Sequence, residues 1–276
     1  MTDPLITSEA LAAILGAPDL RLLDASWFLD GRDAQAAFRE AHIPGAVFFD
    51  IEAISDRSSP LPHMAAPADR FAEAVGKLGV ARGDRIVVYD QAGLFSAARV
   101  WWNLRHMGAE RVQVLDGGLP KWRAEGRPTQ AGELSPSPAA FTPAPRNLAL
   151  DFGDVLQNIE TKQFQLLDAR PAARFRGEVP EPRPGLASGH VPGSRSVPFG
   201  GLLNPDGTRK GVSELRDVFA AAGADPTAPT AVTCGSGVTA PIIALALARL
   251  GAQDVPVYDG SWAEWGSRPD APVATG

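Results

Sequence analysis

The chain has very little cysteine, no long apolar run and no basic segment. Its 276 residues include 1 Cys, which excludes an intramolecular disulfide framework and zinc sites of the four-cysteine kind. No apolar run approaches the roughly 20 residues that a membrane-spanning helix needs, and the N-terminal residues lack the pattern of a secretory signal. The formal net charge of −6 argues against nucleic acid or an acidic membrane as a partner. We therefore expect a cytoplasmic protein.

What the chain does contain is an internal repeat. The residues Leu-Leu-Asp-Ala at 22–25 recur at 166–169, and an Asp-Gly turn followed by Trp at 116–122 recurs at 259–265. The matches come in the same order and at nearly constant spacing, which is typical of a duplicated domain.

Prolines are frequent between the two copies, within residues 128–145. Because proline continues neither a helix nor a central strand, this stretch is interpreted as a semi-extended linker. We place the first domain at 1–134, the linker at 135–148 and the second domain at 149–276.

Within each copy, short apolar runs alternate with helical patterns. This alternation predicts an α/β fold with a parallel sheet flanked by helices, and ligands bind such sheets outside the carboxyl ends of the strands. The predicted elements are strands at 85–89 and 112–115 around a helix at 96–107, then strands at 230–233 and 255–258 around a helix at 241–250.

The single cysteine, Cys234, directly follows one of these strands and opens the loop Cys-Gly-Ser-Gly-Val-Thr-Ala. Its glycines allow a tight curl in which successive N–H groups point inward and bind an anion. A helix beginning near Thr239, with Pro241 in its first turn, adds the positive end of its dipole. This setting favours the thiolate, the form that attacks sulfur. A packing cysteine needs none of these features, so we predict a catalytic nucleophile.

The first copy carries Asp90 at the equivalent position. A carboxylate cannot accept a sulfane sulfur. The first domain is therefore predicted to be catalytically inactive.

The duplicated pattern, the loop at 234–240 and Tyr-Asp-Gly-Ser-Trp at 258–262 together resemble the thiosulfate/3-mercaptopyruvate sulfurtransferase family. The resemblance covers nearly the whole chain and implies two tandem rhodanese-like domains, a persulfide on Cys234 and no metal or organic cofactor. A loop of this composition is typical of the 3-mercaptopyruvate branch, whereas thiosulfate enzymes carry basic residues inside it. Thiosulfate is a small dianion best held by positive charge, and this loop offers only amides and hydroxyls.

The resemblance implies that sulfur passes from 3-mercaptopyruvate to Cys234, with release of pyruvate, and then to cyanide or a thiol such as a small thiol or thioredoxin. The internal duplication leads us to expect a monomer. Two alternatives stay open, namely a thiosulfate sulfurtransferase and a non-catalytic module that senses or relays sulfur. A cysteine phosphatase needs an arginine six residues after the cysteine, and that position is Ala240.

Arg174 and Arg183 match the two arginines that the family uses for the carboxylate and keto group of its substrate. A guanidinium binds a carboxylate through two parallel hydrogen bonds, which fixes its orientation. The alternative is that these arginines form solvated ion pairs with Glu178 and Glu181, which contribute little. The loop residues expected to bind substrate are Gly235, Gly237, Val238 and Thr239.

Ser236 matches a loop serine implicated in handling the substrate's proton, and His63 and Glu52 match its proposed relay partners. His63 lies in a segment with no copy in the second half, as we expect of a residue that serves a single active site. Some relatives carry Asp where this chain has Glu52.

Other conspicuous residues are interpreted as structural. His42 and His190 lie in the same His-x-Pro-Gly turn, one in each half, and a feature kept in the half without the cysteine is more simply a folding device. Asp116 and Asp259 are interpreted as turn residues, and the Trp pair at 101–102 as core or domain interface.

Overall fold

A computed structural model describes residues 3–276 of the chain. These residues form two compact units. A short segment from each half of the sequence belongs to the unit built mainly by the other half. The first unit comprises the chain up to Arg57, Ala66–Arg146 and Asn204–Arg209, and the second comprises Ser58–Ala65, Asn147–Leu203 and Lys210–Gly276.

The two units have the same sheet topology. The order is β1-β5-β4-β2-β3 in the first and β6-β10-β9-β7-β8 in the second, with all pairs parallel. The strands are β1 (Leu5–Ile6), β2 (Leu20–Asp24), β3 (Ala46–Phe48), β4 (Arg85–Tyr89), β5 (Val112–Leu115), β6 (Ala149–Leu150), β7 (Gln165–Asp168), β8 (Arg195–Ser196), β9 (Thr230–Thr233) and β10 (Val257–Tyr258). Identical order in both sheets confirms the duplication.

Helices connect the strands, as parallel pairing requires. They are α1 (Ser8–Ile14), α2 (Ala34–Glu40), α3 (Ile51–Ile54), α4 (Ala68–Lys77), α5 (Ala97–His106), α6 (Gly118–Ala124), α7 (Phe152–Thr161), α8 (Ala172–Phe175), α9 (Val212–Ala221), α10 (Ala240–Arg249) and α11 (Ser261–Trp265), with a 3-10 helix at Phe199–Leu202. Within residues 3–276, no helix combines the length and apolar character needed to cross a membrane.

The sequence-based strand predictions at 85–89, 112–115 and 230–233 are confirmed. The predicted strand at 255–258 is shorter, because only Val257 and Tyr258 pair. The helices after β4 and β9 are largely buried, and in the second every residue from Ala240 to Leu247 is buried. The loop that precedes α10 therefore leads into a helix whose first eight residues are buried.

The predicted linker packs on the first unit. Its Ala139 N–H donates to Gly76 O at 2.9 Å, and the Phe141 ring packs edge-on against Phe71. A Cβ at Gly76 would approach the carbonyl oxygen of Ala139 to 2.6 Å, so the close approach requires glycine. The division at 134 and 149 stays a prediction.

The histidine turns are folding devices in both units, as predicted. His42 Nδ1 lies 2.8 Å from Phe38 O, with the rings stacked at 4.0 Å. His190 makes the same 2.8 Å contact to Phe175 O and stacks at 3.8 Å. Because a carbonyl only accepts, Nδ1 carries the proton in both.

The aspartates of the two Asp-Gly turns do more than turn the chain. Asp116 accepts a 2.7 Å hydrogen bond from the backbone N–H of Arg209, and Asp259 accepts one of 2.7 Å from that of Ala65. Each therefore fastens, within its own unit, the short segment contributed by the other half of the sequence.

Glu125 at the end of α6 gives a pH-dependent contribution to stability. Hydrogen bonds from Lys121, Ser8 and Arg127 lower its pKa from 4.5 to about 2. A carboxyl with a lowered pKa in the folded state stabilises fully above pH 4.5, and loses that contribution as the pH falls toward 2.

We therefore expect Glu125→Gln to be less stable than the parent protein at pH 6 and equally stable near pH 2, by urea unfolding across this range. Glu110→Gln is the control, because the Glu110 side chain is 82% exposed and its carboxylate lies as far as 3.7 Å from Arg146 Nη2. A constant difference at all pH values would contradict the prediction.

Candidate active site

Cys234 lies at the carboxyl edge of the second sheet, where β9 ends. Its side chain is buried, with 2% exposed. Two backbone hydrogen bonds fix it against the start of α11: its N–H donates to Ser261 Oγ at 3.4 Å, and its carbonyl accepts from Trp262 N at 2.9 Å. Gly235 O accepts from Ala263 N at 2.9 Å. The loop is therefore pinned by a helix that sequence reasoning had not connected with it.

The loop leads directly into α10. Gly237 takes a φ of +78°, a left-handed conformation that glycine adopts without strain. Val238 is buried, Thr239 is the N-cap residue, and Pro241 lies in the first turn as predicted. The thiol thus lies within a short loop at the positive end of a ten-residue helix.

The equivalent loop in the first unit shows what such a curl binds. The Asp90 carboxylate accepts hydrogen bonds of 2.7 to 2.9 Å from four backbone N–H groups, those of Ala92, Phe95, Ser96 and Ala97. The first loop is therefore an anion site filled by its own side chain.

The loop of the second unit is one residue shorter, since the two halves are offset by 144 at the residue that ends the strand (234 − 90) and by 143 at the first residue of the helix (240 − 97). Counted back from the helix, the N–H groups of Val238, Thr239 and Ala240 correspond to those of Phe95, Ser96 and Ala97. Cys234 places no carboxylate among them. The second loop therefore has no internal carboxylate to accept hydrogen bonds from its N–H groups.

Arg174 on α8 lies against the loop. A Cβ added to Gly235 would be 3.1 Å from Arg174 Nη2, so the guanidinium lies close to the loop backbone. Arg174 Nε donates to Glu181 Oε1 at 3.2 Å, and its Nη2 pairs with Glu181 Oε2. The Glu181 side chain is 2% exposed, so this is no solvated pair.

The solvated alternative applies to the neighbouring arginine. Arg176 and Glu178 pair with 43% and 53% of their side chains exposed. Arg183 is half-buried and, within residues 3–276, has neither an ion pair nor a hydrogen bond. Its guanidinium therefore carries a positive charge that the described part of the chain leaves uncompensated.

The structure brings two of the three predicted relay residues together, through the main chain. His63 is buried with a φ of +60°, and its Nδ1 lies 3.3 Å from the carbonyl oxygen of Ser236. Because a carbonyl oxygen only accepts, Nδ1 is the donor in this contact. Glu52 belongs to the first unit, where its Oε1 accepts from Trp27 Nε1 at 3.0 Å. The three-residue relay stays a prediction.

Comparison with known proteins identifies the family. The model of the rhodanese-like domain matches residues 7–125 and again 151–268. The chain belongs to the rhodanese-like family. This rhodanese-like protein carries the domain in tandem.

The relatives match nearly end to end. The chain is 44% identical to the human 3-mercaptopyruvate sulfurtransferase, over 98% of this chain and 93% of that protein. It is also 44% identical to the thiosulfate sulfurtransferase of Bos taurus, over 94% of this chain and 89% of that protein. The crystal structure of the Escherichia coli 3-mercaptopyruvate sulfotransferase superimposes with a TM-score of 0.86 at 40% identity, covering 95% and 99% of the two chains.

Sequence reasoning on this rhodanese-like chain missed three contributors to the site, namely Asp259, Ser261 and Glu181. Asp259 was interpreted as a turn residue, and Ser261, two positions later, was given no role. The third looked like a solvated partner, because its burial is invisible in the run Glu-Pro-Arg. Within residues 3–276, no group of three or more His, Cys, Asp or Glu residues is arranged to bind a metal ion.

Proposed function

We propose that this protein is a sulfurtransferase that moves the sulfur of 3-mercaptopyruvate to Cys234 and then to a thiol acceptor or cyanide. The observation that carries the proposal is the position of Cys234, in an amide-lined loop with the Arg174 guanidinium against Gly235. A nucleophile, a cradle for negative charge and a group that binds a carboxylate thus meet at one sheet edge.

The reaction is a two-stage covalent transfer. The Cys234 thiolate attacks the donor sulfur, the carbon–sulfur bond breaks, and its electron pair leaves with the pyruvate enolate. A proton from Ser236 or a bound water converts the enolate to pyruvate. The acceptor thiolate, or cyanide, then attacks the outer sulfur, the sulfur–sulfur bond breaks, and the Cys234 thiolate is restored.

The uncharged loop supports the mercaptopyruvate preference. Within 235–240 every side chain is neutral, so a dianion such as thiosulfate would find no cation in the loop itself. A keto acid instead presents its carboxylate away from the reacting sulfur, toward Arg174 and Arg183. Since the bovine relative is named a thiosulfate sulfurtransferase, thiosulfate is the second candidate donor. A thiol acceptor such as thioredoxin, a monomeric state and a cytoplasmic location also remain proposals.

The test is a steady-state comparison of 3-mercaptopyruvate and thiosulfate as donors, with cyanide as acceptor. We expect kcat/KM to be at least about tenfold higher for mercaptopyruvate. A preference for thiosulfate would be consistent with the Cys234 persulfide but would contradict mercaptopyruvate as the donor. Activity with neither would favour the non-catalytic sulfur-binding module.

Arg183→Ala should weaken use of mercaptopyruvate without harming the fold. Because Arg183 pairs with no described residue, its removal leaves no buried charge behind. Loss of a hydrogen bond to a charged group costs about 1.5–3 kcal/mol, so kcat/KM for mercaptopyruvate should fall by about 10- to 100-fold. Arg176→Ala, which removes an exposed arginine of the same segment, is the control. An equal loss for thiosulfate would contradict the assignment to the carboxylate.

A further inference from the structure

The catalytic half contains a row of four alternating charges that ends at the cysteine loop. Arg170 binds the Asp168 carboxylate through Nε at 2.9 Å and Nη2 at 2.7 Å. Its Nη1 donates to Glu181 Oε1 at 2.9 Å. Glu181 in turn holds Arg174 through Nε and Nη2, and Arg174 lies against Gly235.

The inner part of this row cannot move independently. The side chains of Asp168, Arg170 and Glu181 are at most 2% exposed, against 18% for Arg174. The Arg170 guanidinium also donates to Gly189 O at 2.8 Å and lies 4.1 Å from the Trp262 ring centroid. All three nitrogens of the Arg170 guanidinium thus donate hydrogen bonds, and one face of the group packs on the Trp262 ring. It anchors Glu181, and Glu181 fixes the outermost arginine.

Among the described residues, the first unit has a counterpart only of Asp168, namely Asp24. Ser26 stands where the second unit has Arg170, and Asp24 is instead bound by Ser26 and Gln91. Between the stacked phenylalanine and histidine, the catalytic half has residues 176–189 where the first half has only 39–41. The row is therefore an addition to the half that carries the cysteine, and the fold itself does not require it.

We propose that Glu181 is a positioning residue for the sulfur donor, and this role rests on the proposed function. Glu181 engages Nε and Nη2 of Arg174 and leaves Nη1 without a partner among the described residues. It therefore presents one defined edge of the guanidinium to the donor's carboxylate. Because Asp168, Arg170, Glu181 and Arg174 sum to zero charge, Arg183 supplies the net attraction, and Arg174 supplies orientation.

The experiment separates the two half-reactions by rapid mixing. Glu181→Gln should slow formation of the Cys234 persulfide from mercaptopyruvate by about 10- to 100-fold. Transfer of sulfur from preformed persulfide to cyanide should stay within about twofold of the parent rate, because no carboxylate is bound in that step. Damage to the loop itself would slow both halves.

Two variants complete the test. Glu178→Gln, which removes an exposed carboxylate of the same segment, should leave both half-reactions unchanged. Glu181→Asp keeps the charge balance, and hence the fold, but its shorter side chain reaches Arg174 poorly. It should slow persulfide formation alone, even where Glu181→Gln fails to fold.

A double-mutant cycle shows whether Glu181 acts through Arg174. In an Arg174→Ala background, Glu181→Gln should cause no further loss in persulfide formation. Additive losses, or equal slowing of both half-reactions, would overturn the positioning role alone. A parent protein that forms persulfide with thiosulfate but not with mercaptopyruvate would overturn the proposed donor, and this role with it.

Discussion

Replacing Cys234 with serine should abolish sulfur transfer from every donor. The hydroxyl occupies nearly the same volume but forms no persulfide, so the first half-reaction has no covalent product. Since the chain has 1 cysteine, no second thiol can take over. We expect turnover with mercaptopyruvate and with thiosulfate to fall to the rate without enzyme.

Mass spectrometry of the intact protein checks this result independently of turnover. The parent protein, exposed to donor without acceptor, should gain the mass of one sulfur atom, and the variant should gain none. The variant should keep its melting temperature within a few degrees, because the loop is held by backbone hydrogen bonds to α11 that do not involve the thiol. Residual sulfur transfer by a folded variant would contradict the assignment of Cys234 as the nucleophile.

The sequence was sufficient for the sheet and for the position of the nucleophile, since both rest on local patterns. The run Arg85–Tyr89 is a strand with four buried residues, and its apolar character is visible without a structure. The loop at 234–240 can be predicted from its two glycines between a strand pattern and a helix pattern. The repeat then transfers each assignment from one half to the other.

The sequence was insufficient where a residue works at long range. Asp259 accepts from Ala65, 194 positions away, and Asp116 accepts from Arg209, 93 positions away. Turn propensity accounts for both aspartates locally and gives no hint of these partners. For the same reason the segments Ser58–Ala65 and Asn204–Arg209 could not be assigned to the units that hold them.

Burial was the other quantity that spacing did not reveal. Glu178 and Glu181 are three residues apart and chemically alike, yet one pairs with Arg176 in solvent and the other lies buried between two arginines. Arg170, which binds Glu181, is itself held by the Gly189 carbonyl and the Trp262 ring, and both contacts are distant in sequence from Glu178 and Glu181.

The loop that begins at Asp90 in the first unit is expected to contribute strongly to the stability of the protein. From the sequence, Asp90 was only a residue unable to carry sulfur. In the structure its carboxylate, 1% exposed, satisfies the N–H groups at the start of α5. Asp90→Ala would leave these buried donors unpaired. We therefore expect the free energy of unfolding to fall by about 3–5 kcal/mol.

Urea unfolding measures the loss, and hydrogen exchange locates it. Protection should fall first at the amides of 92–97, while the Cys234 loop keeps its own exchange pattern. Asp30→Ala is the control, because Asp30 pairs with Arg32 at an exposed site and should change stability by under about 0.5 kcal/mol. An equally small effect for Asp90→Ala would contradict the anion-site interpretation of the loop. A large effect would support that interpretation for the first unit, whereas the shorter loop of the second unit has Cys234 in place of the carboxylate.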